Sequence, residues 1–355
     1  MPVLVDRGRA GCTIVTAAGG AAPKDGGHRP AAGAEWIEIG LVNNMPDAAL
    51  EATEQQFVDL LAAAAGESWV HLRFFSLPGI PRSERASRNL GRSYGDAANI
   101  RKVGLDGLIV TGSEPRAANL TDEPYWRAFT QLVDWAASGT VSTVWSCLAA
   151  HAAVLHLDGI GRTPLAEKCM GVFDCEGCGE HPLIEGLPAR SSTPHARWNA
   201  LDEAKLRQSG YEILTRSAEA GVDAFLREEQ SLFLFFQGHP EYGALSLLRE
   251  YRRDIGRYLR GDRMDFPAMP RHYFDTASES ALAGFAARAA RERNARLLAA
   301  FPLSSDPPLM ANWQPFAAAI YRNWLVLISA RKRRRLRPAQ YVAALRLDQF
   351  PAPAL

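Results

Sequence analysis

TVWSCLAAHAA, residues 143–153, joins an apolar β-branched run to a helix-forming one through a single Ser-Cys step. The strand is expected to end at Trp145 and the helix to begin at about Leu148, which leaves Cys147 at the junction. The same alternation repeats upstream. EWIEIGLVN (35–43) reads as a strand that ends in an Asn-Asn-Met-Pro turn, and ALEATEQQFVDLLAAAAG (49–66) has helical spacing up to a terminal glycine. WVHLRFFSL (69–77) is a strand, followed by a polar loop rich in Arg, Ser and Gly. DGLIVTG (106–112) is another strand, followed by the helix DEPYWRAFTQLVDWAAS (122–138). Buried parallel strands read as continuous apolar runs, and strands alternating with helices imply right-handed crossovers. The expected fold is therefore α/β, a doubly wound, mostly parallel sheet flanked by helices. Downstream, KCMGVFD (168–174), YEILTRS (211–217), VDAFLRE (222–228) and SLFLFFQGHP (231–240) are more closely spaced. They are expected to extend one sheet edge, partly antiparallel, before two C-terminal helices over roughly 277–301 and 313–331.

The composition of the 355-residue chain agrees with such a domain, with 47% hydrophobic and 22% charged residues. Forty Lys and Arg against 39 Asp and Glu leave a net charge of +1, which offers no whole-molecule field for a nucleic acid. No apolar run reaches the roughly 18 to 20 residues that cross a bilayer, and the N-terminus lacks the pattern of a secretion signal. A cytoplasmic protein with no membrane partner is expected. Residues 1–34, rich in Gly and Ala, are read as a flexible leader, 35–335 as one α/β domain with its C-terminal helices, and 336–355 as a tail. Five cysteines, an odd number, argue against a disulfide scaffold.

A thiol at a strand-to-helix junction faces free backbone N–H groups and the positive end of the helix dipole, which lower its pKa and can hold an oxyanion. The competing reading of Cys147 is a small buried hydrophobe. FLFFQGHPEYG (233–243) weighs against that. A second apolar strand ends there at Gln237-Gly238 and presents His239 and Glu241 at the sheet's carboxyl end, where reactive groups of open α/β sheets gather. His239 can act as base and Glu241 can hold its tautomer, which completes a nucleophile, base and orienting group.

These two stretches resemble the class I glutamine amidotransferase-like superfamily, whose Cys stands at such an elbow and whose His and Glu come as H-x-E. Further stretches narrow the resemblance to the homoserine O-acyltransferase family. They are NNMP (43–46) with EATEQQF (51–57), DGLIVTGSEP (106–115) with PYW (124–126), EKCMGVF (167–173), PHARWN (194–199), GHPEYGALSLLREYRRD (238–254) and WQPFAAAIYRNWL (313–325). The resemblance implies acyl transfer from an acyl-CoA co-substrate to the hydroxyl of homoserine by a ping-pong route, a step of methionine biosynthesis. Cys147 would carry the acyl group, with His239 as general acid/base and Glu241 as its orienting partner. No metal or tightly held cofactor is implied. Lys168 and Arg253 match family positions near the substrate, and the planar guanidinium of Arg253 suits an α-carboxylate.

Three departures stand out. The turn after NNMP is longer than the family's and lacks its usual Lys. The PHS motif reads His195-Ala196. The position associated with the choice of acyl donor falls on Arg116, which could pair with the free carboxylate of a succinyl group. Succinyl-CoA is the expected donor, with acetyl-CoA, or serine as acceptor, as the alternative. A glutaminase or amidohydrolase, or a non-catalytic binding module, would be readings of a different class. The Ser146-Cys147-Leu148 context, without flanking Gly, weighs against the glutaminase.

Cys175-Glu-Gly-Cys178 with His181 has half the spacing of a zinc site, without a second half, and is expected to be ordinary thiols. His151, one turn beyond Cys147, is expected to line the site wall rather than to act as base. The basic run Arg331–Arg335 is expected to be a solvated helix end, with contact to CoA phosphates as a lesser alternative. The stripe Trp313, Phe316, Ile320 and Trp324 is expected to be core packing, with a homodimer seam as the alternative.

Overall fold

Ile39 and Leu41 of the first long strand and Val144 and Trp145 before the cysteine are fully buried, because helices cover both faces of the sheet that holds them. The computed structural model describes residues 3–16, 36–188, 190–302 and 313–347. Its strands are β1 (Val3–Asp6), β2 (Cys12–Val15), β3 (Trp36–Val42), β4 (Trp69–Ser76), β5 (Gly95–Asp96), β6 (Gly107–Val110), β7 (Ser142–Ser146), β8 (Thr163–Gly177), β9 (Arg190–Ala200), β10 (Glu212–Ser217), β11 (Gly221–Glu228) and β12 (Leu232–Phe236). The helices are α1 (Asp47–Ala64), α2 (Glu84–Ser93), α3 (Trp126–Gly139), α4 (Leu148–Asp158), α5 (Glu203–Gln208), α6 (Ser246–Arg260), α7 (Thr276–Arg291) and α8 (Gln314–Leu347).

All strands join one sheet in the order β2-β1-β4-β3-β6-β7-β12-β11-β10-β8-β9, with β5 paired to β4. From β1 to β12 along this order the pairs are parallel, and from β12 to β9 they are antiparallel. This is the doubly wound α/β architecture with an antiparallel extension that the apolar runs predict. Residues of α1 and α8 form the core on one face. Those of α3 and α4 form it on the other, so Val144 and Trp145 of β7 point into different cores. A third cluster packs α6 and α7 against Met170 and Val172 of β8.

Several expectations are corrected. The N-terminal segment read as a flexible leader contains β1 and β2, and β1 pairs with β4 through the fully buried Val3 and Val5. Three short apolar positions suffice there because an existing strand edge supplies the hydrogen bonds. The rest of that leader, 17–35, lies outside the described residues. The polar loop after β4 contains α2, capped by Ser83, whose side chain accepts from the Ala86 N–H. The helix expected over 277–301 ends at Arg291 and is followed by a short 3₁₀ segment, Ala295–Ala300.

The final helix runs through Leu347, past the start of the expected tail, whose residues 348–355 are outside the description. Its basic run is solvated only in part: Arg333, Arg334 and Arg335 are exposed, whereas Arg331 and Lys332 are half-buried. Lys332 donates to Trp36 O and to Asp106 at 2.7 Å, Arg331 pairs with Glu228 at 2.9 Å, and Arg335 donates to Gln230 O. These cations tie α8 to the amino ends of the strands, opposite the edge that carries Cys147, so the run meets no CoA phosphate at the site. Trp313, Phe316, Ile320 and Trp324 are all buried within the chain, which removes the dimer-seam alternative for that stripe. No helix among the described residues is long and apolar enough to cross a membrane.

Candidate active site

Cys147 adopts φ 51° and ψ −111°, a left-sided backbone conformation that a non-glycine residue takes only when its surroundings impose it. Two neighbours do so here. Its N–H donates to Phe236 O of β12 at 2.7 Å, and its carbonyl accepts from His151 at 3.2 Å to start α4. The strained turn lifts the thiol off the end of β7 and into a pocket of about 650 Å³. Gly112, just beyond β6, presses on the same turn. A Cβ there would lie 2.6 Å from Leu148 Cβ and 3.1 Å from Leu148 N, so only glycine allows the approach. The Leu148 N–H belongs to the first turn of α4, where helix geometry provides no intrahelical acceptor.

His239 follows β12, the strand paired with β7, and so reaches Cys147 from the side, near enough for the two groups to interact electrostatically. Its Nδ1 faces Glu241 Oε1 at 2.8 Å, and the same oxygen accepts from Ser146 Oγ at 3.2 Å. Tyr242 stacks on the imidazole with centroids 4.2 Å apart. The His239 N–H donates to Pro194 O at 2.7 Å. Burial opposes protonation of the ring, but the negative charges of Cys147 and Glu241 outweigh it and hold His239 well above its ordinary value. The expected nucleophile, base and orienting group thus converge at the carboxyl edge of the sheet.

The other histidines near the site are placed differently. His151 is buried, does not line the pocket, and is pushed down to about 3 by burial together with the charges of Arg197 and Arg162. His195 is fully buried behind His239, with Nε2 3.3 Å from Asp223. Asp223 also accepts from Thr193 and Thr215, and a Cβ on Gly238 would lie 2.5 Å from its Oδ1. Ala196 lines the pocket, so the missing hydroxyl of the PHS position is indeed a change in the site wall.

Lys168 and Arg253 both reach the pocket, held by acids that sequence reasoning missed. Lys168 Nζ donates to Asp254 at 2.9 Å and to Glu250 at 3.3 Å, and Arg253 donates to Asp254 at 3.1 Å. Burial disfavours the Asp254 carboxylate, yet Lys168 and Arg253 hold its pKa below the usual carboxylate range. Arg257 lies one turn after Arg253 and pairs with Glu114 at 2.9 Å across the pocket. Tyr242 donates to Glu250, which ties this cluster to the ring stacked on His239. Helical spacing within REYRRDIGR would have placed Glu250, Asp254 and Arg257 on the face that carries Arg253.

Arg116 is not brought to Cys147. It is exposed and borders a separate cavity of about 260 Å³, with Ile80, Pro81 and Pro115, while its backbone N–H donates to Glu123 at 2.6 Å. Cys175 and Cys178 also diverge. Cys175 is buried near His195 and Asp223, ligand-type atoms of the three lying within 4.8 Å of one another, and Cys178 packs against the opposite core. His195 Nε2 and Asp223 Oδ1 face each other at 3.3 Å without a hydrogen-bond partner among the described residues, while Thr193 and Thr215 donate to Asp223 Oδ2.

The sequence model of the family "HTS: Homoserine O-succinyltransferase" matches residues 30–333. A homoserine O-succinyltransferase of Rhodopseudomonas palustris is 50% identical over 300 residues, covering 84% of this chain and 90% of that one. One of Bradyrhizobium japonicum is 51% identical over 304 residues, covering 84% and 92%. Among solved structures, a glutamine amido transferase from Methylobacillus flagellatus aligns with TM-score 0.48 and 16% identity, over 83% of this chain and 95% of that one. At that score the fold assignment rests on the strand order instead.

Proposed function

The chain belongs to the homoserine O-succinyltransferase family, and from that premise we propose that it moves the succinyl group of succinyl-CoA to the hydroxyl of L-homoserine through an acyl–Cys147 intermediate. The observation that carries the mechanism is Cys147 at a strained elbow, in one pocket with a His239 that Glu241 orients. In the first half-reaction the Cys147 sulfur attacks the thioester carbonyl. A bond forms between Sγ and the acyl carbon, the carbon–sulfur bond to CoA breaks, and the His239 proton goes to the departing thiolate. The exchange of one thioester for another is nearly balanced, so the Cys nucleophile forfeits little driving force. In the second, the homoserine hydroxyl attacks the acyl carbon while His239 Nε2 takes its proton, the bond to Sγ breaks, and Cys147 is regenerated. The Leu148 N–H, in the first turn of α4 directly after Cys147, can donate to the negative charge that develops on the carbonyl oxygen.

The cluster on α6 supports an amino-acid acceptor. Arg253 offers a planar fork for the α-carboxylate, and Glu250 and Asp254 offer acceptors for the α-ammonium group. The succinyl donor rests on family membership and not on Arg116, which stands outside the pocket. We place the reaction in the cytoplasm, with the acyl-CoA pool. The test is to incubate the protein with succinyl-CoA or acetyl-CoA and with homoserine or serine in all pairings, and to identify products by mass. O-succinylhomoserine as the main product supports the reading. Release of ammonia from glutamine without any acyl transfer would replace it with the amidohydrolase reading.

A further inference from the structure

A cavity of about 1040 Å³ lies beyond the carboxyl end of β4, on the same sheet edge as Cys147. Arg9, Arg82, Arg92 and Arg101 line it, and no acidic residue does so among the described side chains. The Cys147 pocket has the opposite balance, with Glu114, Glu241, Glu250, Asp254, Asp262 and Asp265 against Lys168, Arg253, Arg257 and Arg263. A polyanion is therefore repelled by the catalytic pocket and attracted to the arginine cavity.

A third cavity lies between the two. The small cavity bordered by Arg116 shares Pro46, Ser113 and Glu114 with the Cys147 pocket and Ile80 with the arginine cavity. β4 is three strands from β7 in the sheet, about 14 Å at the usual spacing. An extended pantetheine arm covers that span.

Arg82 is the fixed part of the wall. It donates to Asn43 O, Met45 O and Ser76 Oγ and pairs with Asp47 at 3.3 Å, so it pins the Asn-Asn-Met-Pro turn beside the cavity, and its buried Nε has no acceptor among the described residues. Arg9 is delivered by the 3₁₀ turn Gly8–Ala10 between β1 and β2, and Arg92 by α2. Both are exposed, and neither forms an ion pair among the described residues. The arginine-rich stretch 81–93 and the N-terminal hairpin have no part in the acyl-transfer chemistry, yet they converge on this one cavity.

We propose that the arginine cavity binds the phosphate-bearing nucleotide end of the acyl-CoA, with the pantetheine arm running past Pro46, Ile80 and Arg116 to Cys147. The inference rests on the acyltransferase reading for its ligand, and its test separates the two. Adenosine 3′,5′-bisphosphate, which carries no acyl group, is titrated into the full chain by calorimetry. Arg92→Glu and Arg101→Glu should each weaken its binding about 10- to 100-fold, the worth of one charge-assisted contact. The same variants should lose a similar factor in kcat/KM for acylation of Cys147 by succinyl-CoA, yet keep the parental rate with a succinyl N-acetylcysteamine thioester, which lacks the nucleotide. Unchanged binding in both variants overturns the proposal. So does an equal loss with the two donors, or a loss of nucleotide binding in Trp198→Ala, at the far rim of the Cys147 pocket, in place of the arginine variants. A parent protein that binds the bisphosphate but forms no acyl-enzyme from either donor would sink the acyltransferase reading and leave the anion site standing.

Discussion

Replacing Glu241 with Gln isolates what the orienting carboxylate contributes, because the amide keeps the shape and one oxygen acceptor while removing the charge. Glu241 is buried, with Oε1 2.8 Å from His239 Nδ1 and 3.2 Å from Ser146 Oγ. A hydrogen bond to a charged group contributes about 1.5–3 kcal/mol. The bare attraction at this separation is about 6 kcal/mol at an effective dielectric of 20, which sets a ceiling. At 1.4 kcal/mol per tenfold, the variant should lose about 10- to 100-fold in rate. The loss should fall on both half-reactions, since His239 gives up a proton in one and takes one in the other. Rapid-quench mass spectrometry of the acyl-enzyme measures acylation, and its decay on adding homoserine measures deacylation. The charge has a second readout. Burial lowers the His239 pKa while Cys147 and Glu241 raise it, and the raising charges win. Removing one of them must move the midpoint down, so the imidazole NMR titration should start above 6.5 in the parent and fall in Glu241→Gln. A loss under threefold, a loss confined to one half-reaction, or a midpoint that rises would refute the role given to Glu241.

In Cys147→Ala the mass increase produced by succinyl-CoA without acceptor should vanish, and in His239→Ala acyl-enzyme formation should fall far more than in Glu241→Gln; an adduct that persists in the first variant moves the nucleophile elsewhere. Gly238→Ala should cost about 1–3 kcal/mol of stability and at least tenfold in rate, because its Cβ would meet Asp223 at 2.5 Å, Thr193 at 2.6 Å and His195 at 3.0 Å, all buried. Chemical denaturation together with turnover checks it, and parental values of both would contradict the packing behind His239. Arg116→Leu should change turnover with succinyl-CoA and acetyl-CoA by the same factor, since its side chain borders the intervening cavity and not the acyl site. A loss selective for succinyl-CoA would return Arg116 to the acyl group.

The strand-to-helix junction at Cys147 and the strand end at His239 were legible in the chain itself. Both rest on local rules: continuous apolar runs mark parallel strands buried on two faces, and the carboxyl ends of such strands form one edge. The H-x-E spacing likewise put a carboxylate within reach of its own histidine, because the two side chains are covalent neighbours. What local rules do not carry is which distant segments share a wall. The pattern of Arg116 did not reveal that it would border a different cavity from that of Cys147, nor that Lys168 of β8 would meet Asp254 of α6 across 86 residues. The His195-Ala196 departure did not reveal that Asp223, on a strand two places from β12's partner β7, would pair with His195. The N-terminal hairpin was too short and too rich in glycine to be read as strand, since its hydrogen bonds come from β4, an edge that exists only once the sheet is assembled. The basic run of α8 reads as solvated in one dimension. Only the packing of that helix across the sheet brings Lys332 to Asp106 and Arg331 to Glu228, where opposite charges replace water.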